Sequence, residues 1–181
     1  MWRETSWISR RASRRLVRHP RVWWVAATPA VKGQLVEMGV DPARITLAPA
    51  YIPPPASPAP GLPASIHDFV GAHSPVLATY AWQLSRDPQG VDVYGFDLCI
   101  ELVRALRAEF PRIGLVLRAS SVAAPEHPRD LQGRVAAHGL GDHVLFTTEP
   151  LAAAHALWQA SHVFVRATNT DGDAVAVREA L

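Results

Sequence analysis

The sequence predicts an α/β fold, a Rossmann-like doubly wound parallel sheet, and three observations lead to that prediction. Short apolar runs rich in strand-forming residues alternate with helical patterns over most of the chain. Glycine, proline and helix-capping residues mark the boundaries between them. Of the 181 residues, 49% are hydrophobic, which is enough to build a core. Strands that alternate with helices in this way form a parallel sheet with helices on both faces.

The first elements form a strand–helix–strand unit. Residues 22–26 are an apolar run rich in tryptophan and valine, and they predict a buried strand. Thr28 supplies an N-cap hydroxyl and Pro29 the first helical position, so a helix is predicted from there up to Gly39. Residues 45–47 predict a second strand.

A proline-rich stretch interrupts this pattern. Residues 49–63 contain seven prolines, and proline lacks the amide hydrogen that helices and central strands need. We therefore predict an interdomain linker over residues 53–74, which separates the end of one domain over residues 1–52 from a second domain over residues 75–181.

The alternation becomes regular beyond the linker. Four strands are predicted there, over residues 75–81, 113–117, 144–146 and 163–165. Four helices are predicted between and after them, over residues 94–110, 129–138, 151–160 and from residue 174 onward. The last helix has no capping residue before Leu181 and no further βα units follow it, so we expect a piece of a longer chain, cut at both ends.

The positive charge is concentrated at the amino terminus. The formal net charge is only +2, yet seven of the 17 arginines lie in residues 1–21, interleaved with apolar side chains. This segment could contact an anionic membrane surface or phosphate, or it could be the solvated face of a helix in a larger domain.

No apolar run is long enough to cross a membrane, and the single Cys99 excludes an internal disulfide. The eight histidines show no metal-ligand spacing.

The candidate binding residues follow from the sheet. Ligands of open parallel sheets bind at the carboxyl ends of the strands, and the most polar of those ends is the loop of residues 166–173, before the last predicted helix. The candidates in and after that loop are Thr168, Asp171, Gly172, Asp173 and Glu179. A glycine before a helix offers backbone N–H groups to a phosphate, and carboxylates suit the hydroxyls of a sugar or ribose. The alternative interpretation is that the acids only cap and solvate the helix.

Residues 162–181 resemble the donor-site signature of bacterial glycosyltransferases with the GT-B fold, the group called glycosyltransferase family 4 or group 1. In that family an acid is followed, after seven residues, by a glutamate and an alanine at the start of a helix of the C-terminal domain. Asp171 and Glu179 match these positions and are the predicted catalytic residues. The resemblance implies that Glu179 contacts the ribose of a nucleotide sugar, that Asp171 lies near the sugar, and that Gly172 offers backbone N–H groups.

Other segments support the same resemblance, which covers about residues 10–181. Residues 94–98 are similar to the first helix of the family's C-terminal domain, residues 144–150 to its third strand, and residues 28–53 to the crossover out of the acceptor-side N-terminal domain. The Thr-x-x-Asp-Gly-Asp variant with Arg-Glu-Ala-Leu after it is similar to a branch that makes capsular and surface polysaccharides.

The resemblance implies a function. Members transfer a sugar from a nucleotide diphosphate sugar to a glycan or lipid-linked acceptor, with retention of configuration and without a metal or other cofactor. The expected setting is the bacterial cytoplasm, with peripheral contact to the inner membrane face through residues 1–21 as one option. Two alternatives stay open: a nucleotide-sugar epimerase of the same fold, and a non-catalytic remnant that binds a nucleotide sugar or a membrane surface. A nucleic-acid partner is not expected, since no aromatic-lined groove for a single strand is evident.

This sequence also departs from the family pattern. The lysine that often holds the donor diphosphate is replaced by Tyr94, which cannot supply the charge. Arg86, after the first strand of the second domain, and Arg118, at the end of the next strand, are the predicted substitutes. Thr147, at the end of the third strand, completes the predicted donor-binding set.

Overall fold

The chain divides into two compact units in the computed structural model, which describes residues 15–17, 19–49, 61–168 and 174–181. The division of the chain falls between Ile52 and Pro53. Most of the arginine-rich segment 1–21 lies outside the described residues, and so do positions 169–173 of the predicted donor loop.

The smaller unit is built on two parallel strands. Strand β1, Trp24–Ala26, is followed by helix α1, Pro29–Glu37, a 3-10 turn, Pro42–Arg44, and strand β2, Ile45–Leu47. The two strands pair in parallel, with Val25 opposite Thr46.

Local sequence accounts for the limits of α1. The Thr28 side chain accepts a hydrogen bond from the backbone N–H of Val31 at 3.2 Å, as an N-cap should. Gly39 has φ of +94°, a conformation that a glycine adopts without strain after a helix. The predicted helix is therefore confirmed. The buried core of this unit consists of Val17, Ala26, Val40 and Ile45.

The larger unit alternates helices and strands. Its elements in chain order are α2 Ala64–Ala72, β3 Val76–Leu84, α3 Phe96–Leu106, β4 Gly114–Val122, α4 Glu126–Ala137, β5 Val144–Thr147, α5 His155–Ala160, β6 Val163–Phe164 and α6 Val175–Ala180. Helix α6 belongs to this unit from residue 176 onward.

The four strands of this unit form one parallel sheet in the order β5-β4-β3-β6. The chain runs outward from β3 through β4 to β5 and then returns to place β6 on the other side of β3. Such a reversal leaves a crevice at the carboxyl ends of β3 and β6, which is where open α/β sheets bind ligands.

Helices cover both faces of this sheet. On one face, Phe96 and Ile100 of α3 and Leu131 of α4 are buried against the strands. On the other face, Ile66 of α2 and Leu157 of α5 form a second core. Apolar side chains on both sides of the strands explain why the strand sequences are continuous hydrophobic runs. The predicted doubly wound parallel α/β fold is confirmed.

Helix α2 corrects the predicted linker. The sequence predicted an interdomain linker over residues 53–74, but Ala64–Ala72 is helical and buries Ile66 completely. The seven prolines end at Pro63, which directly precedes the helix. Pro is tolerated before and at a helix start, so the proline-rich stretch ends where the first helix of the larger unit begins.

Several element limits also differ from the prediction. Strand β3 runs on to Leu84 and β4 to Val122, beyond the predicted ends at residues 81 and 117. The added residues are polar as well as apolar, and polar residues in a strand end the hydrophobic signal before the ladder itself ends. Helix α3 begins at Phe96 because Gly95 occupies the left-handed region at φ +67°.

Candidate functional site

Arg118 is the central residue of the candidate site. It lies on β4 and pairs in register with Tyr80 of β3 and Thr147 of β5. It is only 5% exposed. One guanidinium nitrogen donates to the Ser120 hydroxyl, and another donates to the backbone carbonyl of Glu149 at 3.1 Å. The guanidinium carbon lies 5.2 Å from the centre of the Tyr80 ring.

This guanidinium has no carboxylate partner within the described part of the chain. The ion pairs found there all involve other residues, and the Arg118 Nε atom is buried without a hydrogen-bond partner among the same residues. Removing an ion from water costs on the order of several kcal/mol unless an opposite charge compensates. A bound anion would provide that compensation, so Arg118 has the properties of an anion-binding residue.

Polar side chains surround Arg118, which lies in the middle of β4 and level with the carboxyl end of β5. The Tyr80 and Ser120 hydroxyl oxygens are 2.8 Å apart. The Thr147 hydroxyl accepts from the backbone N–H of Glu149 at 3.1 Å, and this bond fixes the turn that places the Glu149 carbonyl against Arg118. The predicted donor-binding residues Arg118 and Thr147 are therefore register neighbours in one polar cluster.

Glu179 connects to this cluster through two aromatic rings. The Trp158 indole N–H donates to the Glu179 carboxylate at 3.4 Å. The Trp158 ring lies edge-on to Tyr80 with centroids 6.0 Å apart, and it packs against Phe164 of β6. Tyr80 also lies under the Arg118 guanidinium. Glu179, the predicted ribose-contacting residue, is therefore held on the same face of the sheet as the polar cluster around Arg118.

A second arginine, which was not among the predicted site residues, lies at the crevice between β3 and β6. Arg166 follows β6 and donates to the backbone carbonyl of Tyr80 at 2.9 Å. Its guanidinium carbon is 4.9 Å from the centre of the Tyr94 ring. The Tyr94 ring, predicted to be unable to supply a positive charge, thus packs against one. The only sequence signal was that Arg166 directly follows a predicted strand.

Arg86 has different surroundings. Its guanidinium forms an ion pair with Asp130 of α4 at 2.8 Å. Helix α4 packs on the face of the sheet opposite to Trp158, so the structure does not bring Arg86 into the Arg118 cluster. Of the two arginines predicted to replace the missing lysine, the geometry favours Arg118.

The rest of the predicted donor loop is only partly described. Thr168 is half-buried and follows Arg166 after β6. Asp171, Gly172 and Asp173 lie outside the described residues. Their predicted roles stay predictions based on the sequence.

The loop before α3 is tied to the remainder of the unit by a buried pair that sequence reasoning missed. One oxygen of Asp92 accepts from the backbone N–H groups of Tyr94 and Gly95 at 2.9 and 3.1 Å. The other oxygen is 3.1 Å from His127 Nε2, and both side chains are 3% exposed. Asp92 therefore fixes the turn that leads into α3, while His127 holds Asp92 in place.

Gly95 brings this loop close to the segment that follows β6. A Cβ atom at Gly95 would lie 2.6 Å from the Ala167 carbonyl oxygen. Contacts of this kind leave room only for glycine. The turn of residues 92–95 and the start of the predicted donor loop are therefore in direct contact.

The single cysteine has an ordinary structural explanation. Cys99 is buried in α3, and burial, with the nearby Asp92 and Asp97, raises the pKa of its thiol to about 12, so the thiol stays protonated. Within the described ranges, no cluster of three or more His, Cys, Asp or Glu side chains has a geometry for holding a metal ion. None of the helices described has the length and hydropathy needed to cross a membrane.

Comparison with known proteins shows the fold. No model of a known protein family matches the chain, and no curated protein matches its sequence. The chain is similar in structure to Anabaena Alr3699/HepE in complex with UDP and glucose, with a TM-score of 0.64 at 13% identity, over 92% of this chain and 43% of that one.

Two further solved structures match with a TM-score of 0.57 at 14% identity. A TarM mutant of S. aureus, in complex with fondaparinux, alpha-GlcNAc-glycerol and UDP, is matched over 86% of this chain and 27% of that one. A glycosyltransferase from Rickettsia africae is matched over 80% and 37%. The chain spans less than half the length of these proteins. At such identities the likeness establishes a shared Rossmann-like fold.

Proposed function

We propose that this chain is the donor-binding part of a glycosyltransferase with the GT-B fold. The reaction would transfer a sugar from a nucleotide diphosphate sugar to a glycan or lipid-linked acceptor. Two observations support the proposal: the fold is shared with proteins crystallised with UDP and with a glycosyltransferase, and residues 162–181 resemble the donor-site signature of glycosyltransferase family 4. The chain would then belong to a longer enzyme of polysaccharide synthesis.

The observation that carries the proposal is the Arg118 cluster. A buried guanidinium, with no carboxylate partner among the described residues, lies in the middle of β4, level with Thr147 at the carboxyl end of β5. Folds of this kind bind nucleotides at the carboxyl ends of their strands. Sugar transfer from a nucleotide diphosphate sugar releases a diphosphate, and the developing negative charge must be stabilised. Arg118 is positioned by three strands before any ligand arrives, so its contribution requires little reorganisation. Donors of this kind would make a metal unnecessary.

The finer parts of the proposal rest on the sequence resemblance. Glu179 would bind the ribose hydroxyls, with its carboxylate oriented by the Trp158 indole N–H. Asp171 would lie beside the sugar, and Gly172, Asp173 and Thr168 would line the donor loop. We further propose retention of configuration, a cytoplasmic setting, and peripheral membrane contact through residues 1–21.

The proposal is tested by measuring UDP binding with isothermal titration calorimetry. We expect the chain to bind UDP, and Arg118→Gln to weaken that binding at least tenfold, since hydrogen bonds to a charged group contribute about 1.5–3 kcal/mol. Arg86→Gln is the matched control, because its guanidinium is already paired with Asp130. It should change the dissociation constant less than twofold.

Thermal unfolding of each variant without ligand checks that the fold is intact. Absence of UDP binding by the wild-type chain, or equal losses in the two arginine variants, would contradict the proposal. If UDP-sugar is bound, analysis of the products with the longer enzyme separates transfer from epimerisation and from binding without catalysis.

A further inference from the structure

The hydrogen bonds between β6 and β3 continue through a side chain where the short strand β6 ends. After β6, Val165 donates its backbone N–H to the carbonyl oxygen of Ala78 on β3 at 2.8 Å. Along a strand, every second carbonyl points to the same neighbouring strand, so the next acceptor on this side of β3 is the carbonyl of Tyr80. That carbonyl accepts from the guanidinium of Arg166 at 2.9 Å. A side chain thus occupies the position where a longer β6 would place a backbone N–H group.

The same guanidinium lies against an aromatic ring. Its carbon is 4.9 Å from the centre of the Tyr94 ring, inside the distance of about 6 Å at which a π-face attracts a cation. Asp92 accepts from the backbone N–H of Tyr94, and the Asp92 carboxylate is itself held by His127. The ring that contacts Arg166 therefore belongs to a turn that buried hydrogen bonds fix in place.

Arg166 is the first residue of the polar loop of residues 166–173, which the proposed function assigns to the donor. Its side chain joins that loop to the turn before α3 and to the backbone of Tyr80. The ring of Tyr80 also lies under the Arg118 guanidinium. The start of the loop is thus fixed relative to the anion-binding cluster before a ligand arrives, and a segment that is ordered in advance loses less entropy on binding.

We propose that Tyr94 is a positioning residue for the donor loop and that it acts through Arg166. This inference rests on the proposed function and adds the contact that keeps the loop in its binding arrangement. Tyr94 needs no contact with the ligand in this role. Without its ring, the loop spends a smaller fraction of time in the binding arrangement, and the apparent dissociation constant rises as that fraction falls. The π-face carries the role, because the attraction of a cation to the ring does not need the hydroxyl group.

The first measurement is UDP binding by isothermal titration calorimetry. We expect Tyr94→Leu to weaken binding about threefold to tenfold, the effect of losing one partly desolvated cation–π contact. Tyr94→Phe keeps a π-face and should stay within about twofold of the wild-type chain. Phe110→Leu is the matched control, because it removes an aromatic ring beyond the other end of α3. It should leave the dissociation constant unchanged.

A double-mutant cycle shows whether Tyr94 acts through Arg166. In an Arg166→Gln background the cation is already gone, so adding Tyr94→Leu should change the UDP dissociation constant by less than about twofold. Equal losses in the two backgrounds would mean that the ring acts by another route, and the inference would be wrong. Thermal unfolding of each variant without ligand checks that the fold is intact. If Tyr94→Leu does not fold, Tyr94→Met, whose side chain adapts to irregular spaces, takes its place in both comparisons.

Hydrogen exchange without ligand separates this inference from the proposed function. Measured by NMR, the backbone amide of Val165 should exchange at least about threefold faster in Tyr94→Leu than in the wild-type chain, and Phe110→Leu should not change its rate. If the wild-type chain binds UDP and Tyr94→Leu binds it equally well, the positioning role is wrong and the proposed function stands. If the wild-type chain does not bind UDP, the proposed function fails and the binding role of Tyr94 fails with it, while faster exchange at Val165 would still show that the ring holds this segment.

Discussion

Two histidine–carboxylate pairs of the larger unit differ chiefly in burial. His127 and Asp92 are both 3% exposed, with Nε2 and Oδ2 3.1 Å apart. His138 and Glu101 are 30% and 35% exposed, with Nε2 and Oε1 2.9 Å apart. The distances are similar, so a difference in their contribution to stability must come from the surrounding solvent. A buried acceptor that loses its donor finds no water to replace it.

We expect His127→Leu to lower the free energy of unfolding by about 1–3 kcal/mol, because it leaves the second oxygen of Asp92 buried without a donor. His138→Leu should have a clearly smaller effect, since water can replace the ring nitrogen at Glu101, which also accepts from Arg104. Urea unfolding of both variants measures the difference. Equal losses in the two variants would show that burial does not decide the strength of these pairs.

The site residues show what sequence reasoning could find at this scale. Arg118 and Thr147 were predicted because each ends an apolar run, and that position alone places a residue at the ligand edge of a parallel sheet. Arg86 satisfied the same rule but is paired with Asp130, 44 residues away in the sequence. No local sequence pattern indicates an ion-pair partner so far away in the chain. Thr147 does end β5, but Arg118 lies in the middle of β4, which runs on to Val122. The strand limits and the charge partners both depend on packing.

The aromatic members of the site were missed for a related reason. Trp158 and Tyr80 lie inside predicted elements, where aromatic residues are ordinarily core. Their contacts with Glu179 and Arg118 depend on the pairing of strands and on the path of α5 across the sheet. Asp92 and His127 lie far apart in the chain and carry no motif. Such pairs become visible only in three dimensions.

At the scale of elements, the amino-terminal end of α3 is the most constrained point. Gly95 has φ of +67° and approaches Ala167. Gly90, five residues earlier, has φ of +83°, but a Cβ atom there would meet none of the described atoms within 4 Å. Both positions require the left-handed region. Only Gly95 also requires the absence of a side chain.

This contrast gives a matched pair of substitutions. Gly90→Ala should lower the free energy of unfolding by about 1–2 kcal/mol, the cost of a left-handed conformation for a residue with a Cβ atom. Gly95→Ala should lower it further, because the methyl group would also overlap the Ala167 carbonyl. Chemical denaturation measures both values. Should the two variants be equally stable, the close approach of α3 to the segment after β6 would be wrong.

The elements themselves were predictable where apolar pattern and capping residues agree. Helix α1 has Thr28 at its N-cap and Gly39 after its end, and both predicted limits hold within two residues. Helix α2 was missed because seven prolines dominate the segment before it, and its own sequence has no side-chain cap. Its stability comes from burying Ile66 in the larger core, and a local window does not contain that information.

At the scale of the whole molecule, the two units differ in the size of the sheet and of the buried core that stabilise them. The smaller has two three-residue strands and a core of four buried apolar side chains among its described residues. The larger has a four-stranded sheet with a buried core on each face. Two-stranded sheets are marginally stable by themselves, and the central strands of a larger sheet open only with the whole unit.

Hydrogen exchange should therefore be uneven along the chain. We expect the backbone amides of β3 and β4, the central pair of the larger sheet, to exchange at least a hundredfold more slowly than those of β1 and β2, since a difference of about 2.7 kcal/mol in opening free energy gives that ratio. Mass spectrometry of peptic fragments after timed exposure to deuterated water measures both regions in one sample.

Leu117→Ala supplies the internal check for this last prediction. Leu117 is fully buried in β4, and truncating a buried leucine costs about 2–5 kcal/mol. If the slow exchange of β3 and β4 reflects opening of the whole larger unit, the substitution should accelerate every slow amide in those strands by about the same factor. Acceleration confined to amides next to residue 117, or equal protection of β1 and β3 in the wild-type chain, would mean that the sheet does not open as one cooperative unit. The candidate site spans β3, β4 and β5, so a cooperative sheet is what would keep Arg118, Tyr80 and Thr147 in register before a ligand binds.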